Sequence, residues 1–586
     1  MLAGRKHVKY LALTCLWIAS AVFFWTWWLE PSHNLDTSRF WAASSFMGWS
    51  YFTQCYFMLL FLNGRRSTAP DPKPGQWRVA MVVTKAPSEP LSLLKKTLTA
   101  MLAQDYPHDT WLADEDPSPE TIAWCEANGV RISTRKGVAD YHRATWPRRT
   151  RCKEGNLAYF YDHFGYDGYD IVAQLDADHV PQPGYLREML RPFADPAVGY
   201  VSAPSICNAN AAESWAARTR LDAEAAFHGL LQTGQTGLLT PMCIGSHYAV
   251  RTTALKAVGG LGPDLAEDHS TTLLLAAGGW RGVHAIDAIA YGDGPANLAD
   301  LATQEFQWAR SLTTLLLSHT GRYLGRLPLQ LKFLFIFGQI WYPVSSALML
   351  FLYLVPIYSL VNGVRFADVT YPAFVGHSLP NILVLIFYAF QLRSDGFFRP
   401  YDGKVMSKEK IMFVYLQWPW ALWGCVTALR DKITGKFVDF RVTPKGEAAT
   451  KKLPTKVVAA YSLLALGALL PVLLVRDISE ARGFYILSAI NGLIYTAIAV
   501  SIVLRHLMEN GAELRRRWHA AAVQLASVGA LTMLVGTVLT TRGVQGIYAL
   551  SVGMAPFHLA VAEYGASGAG MDDYRKVMYR FDPGWN

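Results

Sequence analysis

Two aspartates one residue apart, Asp176 and Asp178, close the apolar stretch IVAQLDADHVPQPGYL, residues 171–186. Removing a carboxylate from water is costly unless something compensates it, so a pair at the end of a strand needs a reason. Carboxylate oxygens are the ligands that Mg2+ and Mn2+ prefer, commonly shared with substrate phosphates. A metal-bound diphosphate is also a better leaving group, because the cation neutralises the charge that develops as it departs. The alternative is a solvated turn, since D-x-D arises often by chance in a long chain.

Other acidic and polar groups raise parallel questions. LGPDLAEDHSTT places Glu267 and Asp268 ahead of a helical run. A carboxylate there is either an N-cap or a general base that takes the proton of an attacking hydroxyl. TWLADED sets Asp114, Glu115 and Asp116 at another strand end, where an acidic group holds a ribose or base edge or solvates a loop. In TQEFQWARS, Gln304, Gln307 and Trp308 stand at i, i+3 and i+4 on one helical face. The indole can stack on a sugar ring or anchor the helix at a membrane interface. GKFVDFRVTPKGEA, with Thr443 and Lys445, suits either a diphosphate-binding loop or a basic linker.

The elements that must position these residues are of two kinds. The 586-residue chain is 52% hydrophobic and 17% charged, with 19 tryptophans, and the apolar excess is concentrated at its two ends. Leu11–Leu29 and Phe40–Leu62 read as two membrane helices, each near the roughly 20 residues a bilayer core requires. Basic residues at their outer ends put the N-terminus and the next segment in the cytoplasm. Residues 67–325 alternate strand-like and helical runs, which implies an α/β domain with a mostly parallel sheet whose ligands gather at the carboxyl ends of strands. Asp176 and Asp178 stand at such an end.

From residue 326 the chain is apolar again. Spans are expected near 333–360, 376–392, 455–475, 484–504, 519–540 and 545–563, with a Trp-rich interfacial helix over 409–430 and a basic loop at 431–452. The expected organisation is therefore 1–66 with two spans, 67–325 in the cytosol and ending in an interfacial helix, and 326–586 with six more. That makes about eight transmembrane helices, both termini being cytoplasmic. The net charge of +9 fits the Lys and Arg surplus of cytoplasmic segments, so the expected partner is the lipid bilayer and not nucleic acid. Seven cysteines without a C-x-x-C pair read as free thiols.

Taken together, the motifs resemble the processive, membrane-embedded family 2 glycosyltransferases, of which the bacterial cellulose synthase catalytic subunit is the nearest kind. The similarity runs from about Arg78 to Gly446. VVTKAPSEP resembles the loop after the first strand, which implies that Thr84 and Glu89 contact uridine. WLADEDPSPET aligns Asp114 with the nucleotide-binding aspartate. RCKEGNLAYF aligns Lys153, Gly155 and Asn156 with a Lys-Ala-Gly-Asn segment. DADHVP is the metal motif of Asp176 and Asp178, and CIGSHYAVR, with Gly245, Ser246 and His247, resembles the Cys-Gly-Ser segment beside the acceptor. LAEDH implies Asp268 as catalytic base with Glu267 beside it. QEFQW stands where Gln-x-x-Arg-Trp is expected, giving Gln304 and Gln307 to the nucleotide sugar and Trp308 to the acceptor. FRVTPKG resembles a gating loop in which Phe440, Val442, Thr443 and Lys445 close over UDP.

The departures are Gln307 in place of an arginine, Ala266 in place of a threonine and Ile244 in place of the cysteine. The resemblance implies a GT-A fold, Mg2+ or Mn2+ as cofactor, and inverting polymerisation of a UDP-sugar, UDP-glucose by the nearest likeness. The growing β-glucan would leave through the chain's own transmembrane channel in a bacterial inner membrane, with accessory envelope subunits as further partners. An amino-sugar polymer of the hyaluronan or chitin kind, transfer of one sugar to a lipid carrier, and an inactive scaffold or channel are the alternatives.

Overall fold

The computed structural model describes residues 1–86, 89–150, 152–263, 266–435, 455–509 and 518–551, and the backbone of 557–564 and 574–581. The chain divides into two compact units. One comprises Met1–Val8, Tyr56–Ala347 and Phe390–Lys452; the other comprises Lys9–Cys55, Leu348–Ala389 and Leu453–Asn586.

The strands of the first unit are β1 (Val79–Lys85), β2 (Asp109–Asp114), β3 (Arg131–Ser133), β4 (Ile171–Asp176), β5 (Val180–Pro181), β6 (Val198–Ser202), β7 (Ser205–Ile206), β8 (His247–Arg251), β9 (Arg281–His284) and β10 (Ala290–Tyr291). The main sheet runs β3-β2-β1-β4-β8-β6-β9, and β5-β10-β7 form a smaller one. Pairing is parallel except where β8 is inserted antiparallel between β4 and β6. This is an α/β domain with a mixed, mostly parallel sheet.

Every residue of β1 is buried, as expected of a strand covered on both faces. Its side chains alternate between layers. Val79, Met81 and Val83 pack with Leu94, Leu98, Met101 and Leu186. Ala80 and Val82 pack on the other face with Leu157, Phe160, Tyr161 and Tyr248. The register then aligns the polar ends, because Lys85 pairs with Asp114 across β1–β2 and Thr84 with Asp176 across β1–β4. The apolar body of the sheet thus delivers its charged residues to one edge.

Two helices of this unit pack closely. In the Lys408–Thr434 helix, capped by the Ser407 hydroxyl and ended by Gly435 at φ 64°, a Cβ on Gly424 would lie 2.4 Å from the carbonyl oxygen of Phe306 in the Leu298–Ser318 helix. The same pair is tied by Arg310 Nη2 to Asp431 Oδ2 at 2.6 Å and by Gln417 Nε2 donating to Glu305 Oε2 at 2.6 Å.

Six described helices are long and apolar enough to cross a membrane: Arg5–Trp28, Leu329–Asn362, Tyr371–Ser394, Thr455–Leu474, Arg482–Glu509 and Ala521–Ser551. The chain is thus a multi-pass membrane protein. The expected span at Phe40–Leu62 forms a helix, Thr37–Leu62, but its Ser, Gln, Trp and Tyr content keeps it out of that set.

The C-terminal expectation of two spans is corrected. A single helix, Trp518–Ser551, replaces 519–540 and 545–563, and Phe557–Tyr564 instead pairs antiparallel with Tyr574–Phe581. The gap between the two expected spans contains Arg542, which lies inside the single helix. Arg542 in fact donates from Nε and Nη2 to Leu473 O at 3.1 and 2.8 Å and from Nη1 to Gln545 at 3.1 Å. Its charge is shared with the end of a neighbouring helix, so the helix continues past it. Six helices among the described residues are long and apolar enough to cross a membrane, so the count of eight is not confirmed.

Because Gly424 sits against backbone that cannot swing aside, Gly424→Leu should push the two helices apart. Overpacking costs about 1–3 kcal/mol where side chains can adjust, and backbone cannot. The expected result is a clear fall in the thermal midpoint of the detergent-purified protein, followed by loss of the monodisperse size-exclusion peak after heating. An unchanged midpoint would contradict this packing.

Candidate active site

Lys153 opens the helix Lys153–Phe160, whose N-cap Cys152 accepts from the Gly155 amide. The ammonium donates to Asp176 Oδ1 at 2.8 Å and to Gly245 O at 2.6 Å. Burial alone would lower its pKa, but Asp176, Glu267 and Asp268 face it and hold it above the ordinary lysine value. One cation therefore gathers three carboxylates from two separate segments, the end of β4 and the start of the Glu267–Ala277 helix. Gly155 makes this placement possible: a Cβ there would lie 1.9 Å from Arg135 Nη1 and 2.1 Å from Arg149 O. Arg135 is fully buried and holds the loop before this helix by donating to Tyr141 O, Arg149 O and Cys152 O at 2.7, 2.6 and 3.2 Å.

The turn before β8 closes the other side. Asp176 N donates to Ser246 O at 2.8 Å, and a Cβ on Gly245 would sit 3.0 Å from Asp268 Oδ2. The helix Glu267–Ala277 starts after Ala266 without a side-chain cap. Glu267 and Asp268 lie in its first turn and face Lys153, so the reading of this pair as an N-cap is not realised. Asp268 accepts from the amides of His269 and Gly245, and burial raises its pKa. Glu267 is more enclosed. Tyr248 donates to it, and burial pushes its carboxyl up to about 7, with Asp268 adding and Lys153 opposing.

Asp176, Asp178 and His179 bring potential ligand atoms within 4.8 Å of one another. Two carboxylates suit a hard divalent cation such as Mg2+ or Mn2+. His179 is already committed, with Nδ1 at 3.2 Å from Asp178 Oδ1 and Nε2 at 3.1 Å from Ser205 Oγ. The ring orients Asp178, whose Oδ2 also accepts from Asp293 N at 3.3 Å. The residues present therefore fit a divalent cation held by Asp176 and Asp178.

At the far edge of the sheet, Asp114 is fully buried. It caps the Asp116 amide through Oδ1 at 3.1 Å and meets Lys85 Nζ through Oδ2 at 3.1 Å. Thr84 is buried beside Asp176 in register, its hydroxyl 3.5 Å from Leu175 O. Glu89 turns its carboxylate onto the Ala86 amide at 2.7 Å. Asn156 donates to Ala113 O at 3.3 Å, tying the Lys153 helix to the end of β2.

His247 departs from the expected acceptor role. It is fully buried, with its ring 5.3 Å from that of His179 and 5.7 Å from Tyr185, and so has no surface for an acceptor. Gln304, Gln307 and Trp308 lie on the Leu298–Ser318 helix as expected. Gln307 is buried, while Gln304 and Trp308 meet Arg220, whose guanidinium carbon sits 4.7 Å from the indole centroid. Arg310 is consumed by Asp431. Phe440, Val442, Thr443 and Lys445 lie outside the described residues. Sequence reasoning missed Lys85 and Arg220. For Lys85 the signal was present, a lysine closing an otherwise apolar strand. For Arg220 there was none, because it comes from a helix far from any motif.

The site is three carboxylates round one ammonium at the carboxyl ends of the strands, and the following proteins are similar to this chain. Residues 171–389 match the model of Glycosyl transferase family group 2. Cellulose synthase 1 of Komagataeibacter xylinus is 25% identical over 307 residues, covering 49% of this chain and 18% of that protein. The cellulose synthase catalytic subunit (UDP-forming) of Xanthomonas axonopodis pv. citri is 27% identical over 274 residues, covering 44% and 34%. This chain thus spans well under two thirds of the length of these relatives. Among solved structures, a mannosyltransferase of Pyrobaculum calidifontis in complex with GDP-mannose and Mn2+ is similar at 16% identity and a TM-score of 0.34, over 82% of this chain and 99% of that one. The stretch 171–389 is thus similar to family 2 glycosyltransferases, and about half of the chain is similar to cellulose synthase catalytic subunits.

The Glu267 carboxyl carries a stability consequence. Its folded pKa, about 7, exceeds the ordinary value of 4.5, so between those values the folded state binds more protons than the unfolded. The protonated form favours folding, and stability falls as pH rises through this window, by at most about 3 kcal/mol. Glu267→Gln, which cannot ionise, should raise the thermal midpoint at pH 8 and lose that advantage near pH 5. A pH-independent difference would contradict the assignment.

Proposed function

We propose that the protein is a processive inverting synthase that polymerises UDP-glucose into a β-glucan at this site and secretes the chain through its own membrane helices. The observation that carries the reading is the convergence of Asp176, Glu267 and Asp268 on Lys153, next to Asp178. Asp114 with Lys85, Thr84 and Glu89 lie along the strand edge where a uridine would bind, and Lys153 is placed to hold the nucleotide. A divalent cation bound by Asp176 and Asp178 would supply charge neutralisation at the diphosphate.

Asp268 is the base. It retains partial access to solvent, whereas Glu267 is closed off and bound to Tyr248. It takes the proton of the acceptor hydroxyl as that oxygen bonds to the anomeric carbon. The bond from that carbon to the phosphate oxygen breaks, its electron pair leaves with UDP, and configuration inverts. Glu267, pushed up to about 7 by burial, is only about half ionised at pH 7 and so adds less than a full negative charge beside the base. Trp308 stands where the acceptor sugar would stack, and the loop carrying Phe440, Val442, Thr443 and Lys445 would close over the nucleotide.

Asp268→Asn should lower UDP release from UDP-glucose by at least about 10²-fold, with UDP affinity little changed. Equal release by variant and parent would refute the base assignment. In parent membranes given labelled UDP-glucose, the product should be a long polymer sensitive to a linkage-specific β-glucanase. Accumulation of only an organic-soluble monosaccharide-lipid would replace processive synthesis with transfer to a carrier. The rate should fall on the acid side at a pH above the usual aspartate range, since burial raises the pKa of Asp268 and the base must be ionised.

A further inference from the structure

The ammonium of Lys153 is already divided among three carboxylates and a carbonyl, and a departing diphosphate needs more positive charge than it can offer. Arg220 is placed to provide it. It lies on the helix Trp215–Glu224, capped by the Ser214 hydroxyl, which is seated against the extended segment of residues 292–294. A Cβ on Gly294 would meet the Ala217 Cβ at 2.6 Å, and Ser214 Oγ donates to Pro295 O at 2.8 Å. The neighbouring amide of Asp293 donates to Asp178. Arg220 is one helical turn on from Ala217 and shares its face, so the helix points its guanidinium along the side on which Asp178 is held.

Cys207 marks the intervening space, facing both His179 and Arg220. The guanidinium is fixed before any ligand arrives: Nε donates to Glu224 Oε2 at 3.0 Å, Nη1 to Gln304 Oε1 at 3.3 Å, and its plane covers Trp308. Glu224 is itself shared with His228, whose Nε2 is 3.4 Å away. Nη2 donates to no group among the described residues.

On the reading that the site binds a nucleotide sugar, we propose that Arg220 is a diphosphate-binding residue, presenting Nη2 to the phosphate oxygens while Glu224, Gln304 and Trp308 hold it in place. A planar guanidinium suits phosphate oxygens, and stacking on an indole removes the entropy cost of ordering a long side chain. A second consequence is that the Trp308 face under Arg220 is occupied, which leaves the opposite face for a sugar.

The test uses the full chain in detergent with Mn2+, comparing UDP with uridine, which lacks phosphate, by titration calorimetry. Arg220→Gln should weaken UDP binding about 10- to 100-fold and leave uridine binding unchanged, and Arg220→Lys should weaken UDP binding several-fold. Equal losses for UDP and uridine would make Arg220 a purely structural residue, and no loss for either would also overturn the proposal. If Arg220→Gln does not fold, Arg220→Lys decides: an unchanged UDP affinity rejects the assignment. A parent protein that binds neither ligand would instead refute the nucleotide-sugar reading itself.

Discussion

The structure of the site depends on one ammonium. Lys153 touches Asp176 and the Gly245 carbonyl directly and faces Glu267 and Asp268. Three carboxylates drawn together out of water would repel one another and take up protons. A buried cation among them keeps them together and lets them hold charge. Removing the lysine leaves the carboxylates uncompensated, which typically costs about 3–5 kcal/mol. The carboxylates therefore depend on the lysine, although strand β4, the helix that Lys153 opens and the Glu267–Ala277 helix reach the site independently.

The rest of the domain exists to bring those segments to one place. The sheet is apolar on both faces, so its strands are fixed in depth and register by packing, and polar residues can collect only at its ends. The antiparallel insertion of β8 next to β4 places the Gly245–Ser246 turn against Asp176, which a purely parallel sheet would not do. Gly155 and Gly245 lack side chains at the two points where backbone must come within contact distance of Arg135 and Asp268. The Leu298–Ser318 helix is held in turn by the Gly424 contact and the Arg310–Asp431 pair, which spends Arg310 on packing.

Much of this was legible in the sequence because it is local. The strand ending in Asp176 and Asp178, the Glu267–Asp268 pair ahead of a helix and the lysine of RCKEGN are each recognisable from spacing and residue type. The parallel strands read out from apolar runs bounded by turns. What escaped is what depends on pairing across the chain. The insertion of β8 has no local signature. Arg220 meets Trp308, 88 positions later in the chain, only through tertiary packing. His247 looks polar and available in CIGSHYAVR, yet strand pairing with Leu175 buries it. The continuous helix through Arg542 rests on the Leu473 carbonyl of another helix, which no local pattern announces.

The measurement that bears most directly on the account is a calorimetric titration of UDP into the purified full-length protein, with and without Mn2+, for the parent and for Asp178→Asn. The account predicts that the parent binds UDP much more tightly with the cation than without it, and that Asp178→Asn loses this dependence while remaining folded. UDP binding that ignores the cation in the parent, or a cation dependence that survives intact in Asp178→Asn, would contradict it.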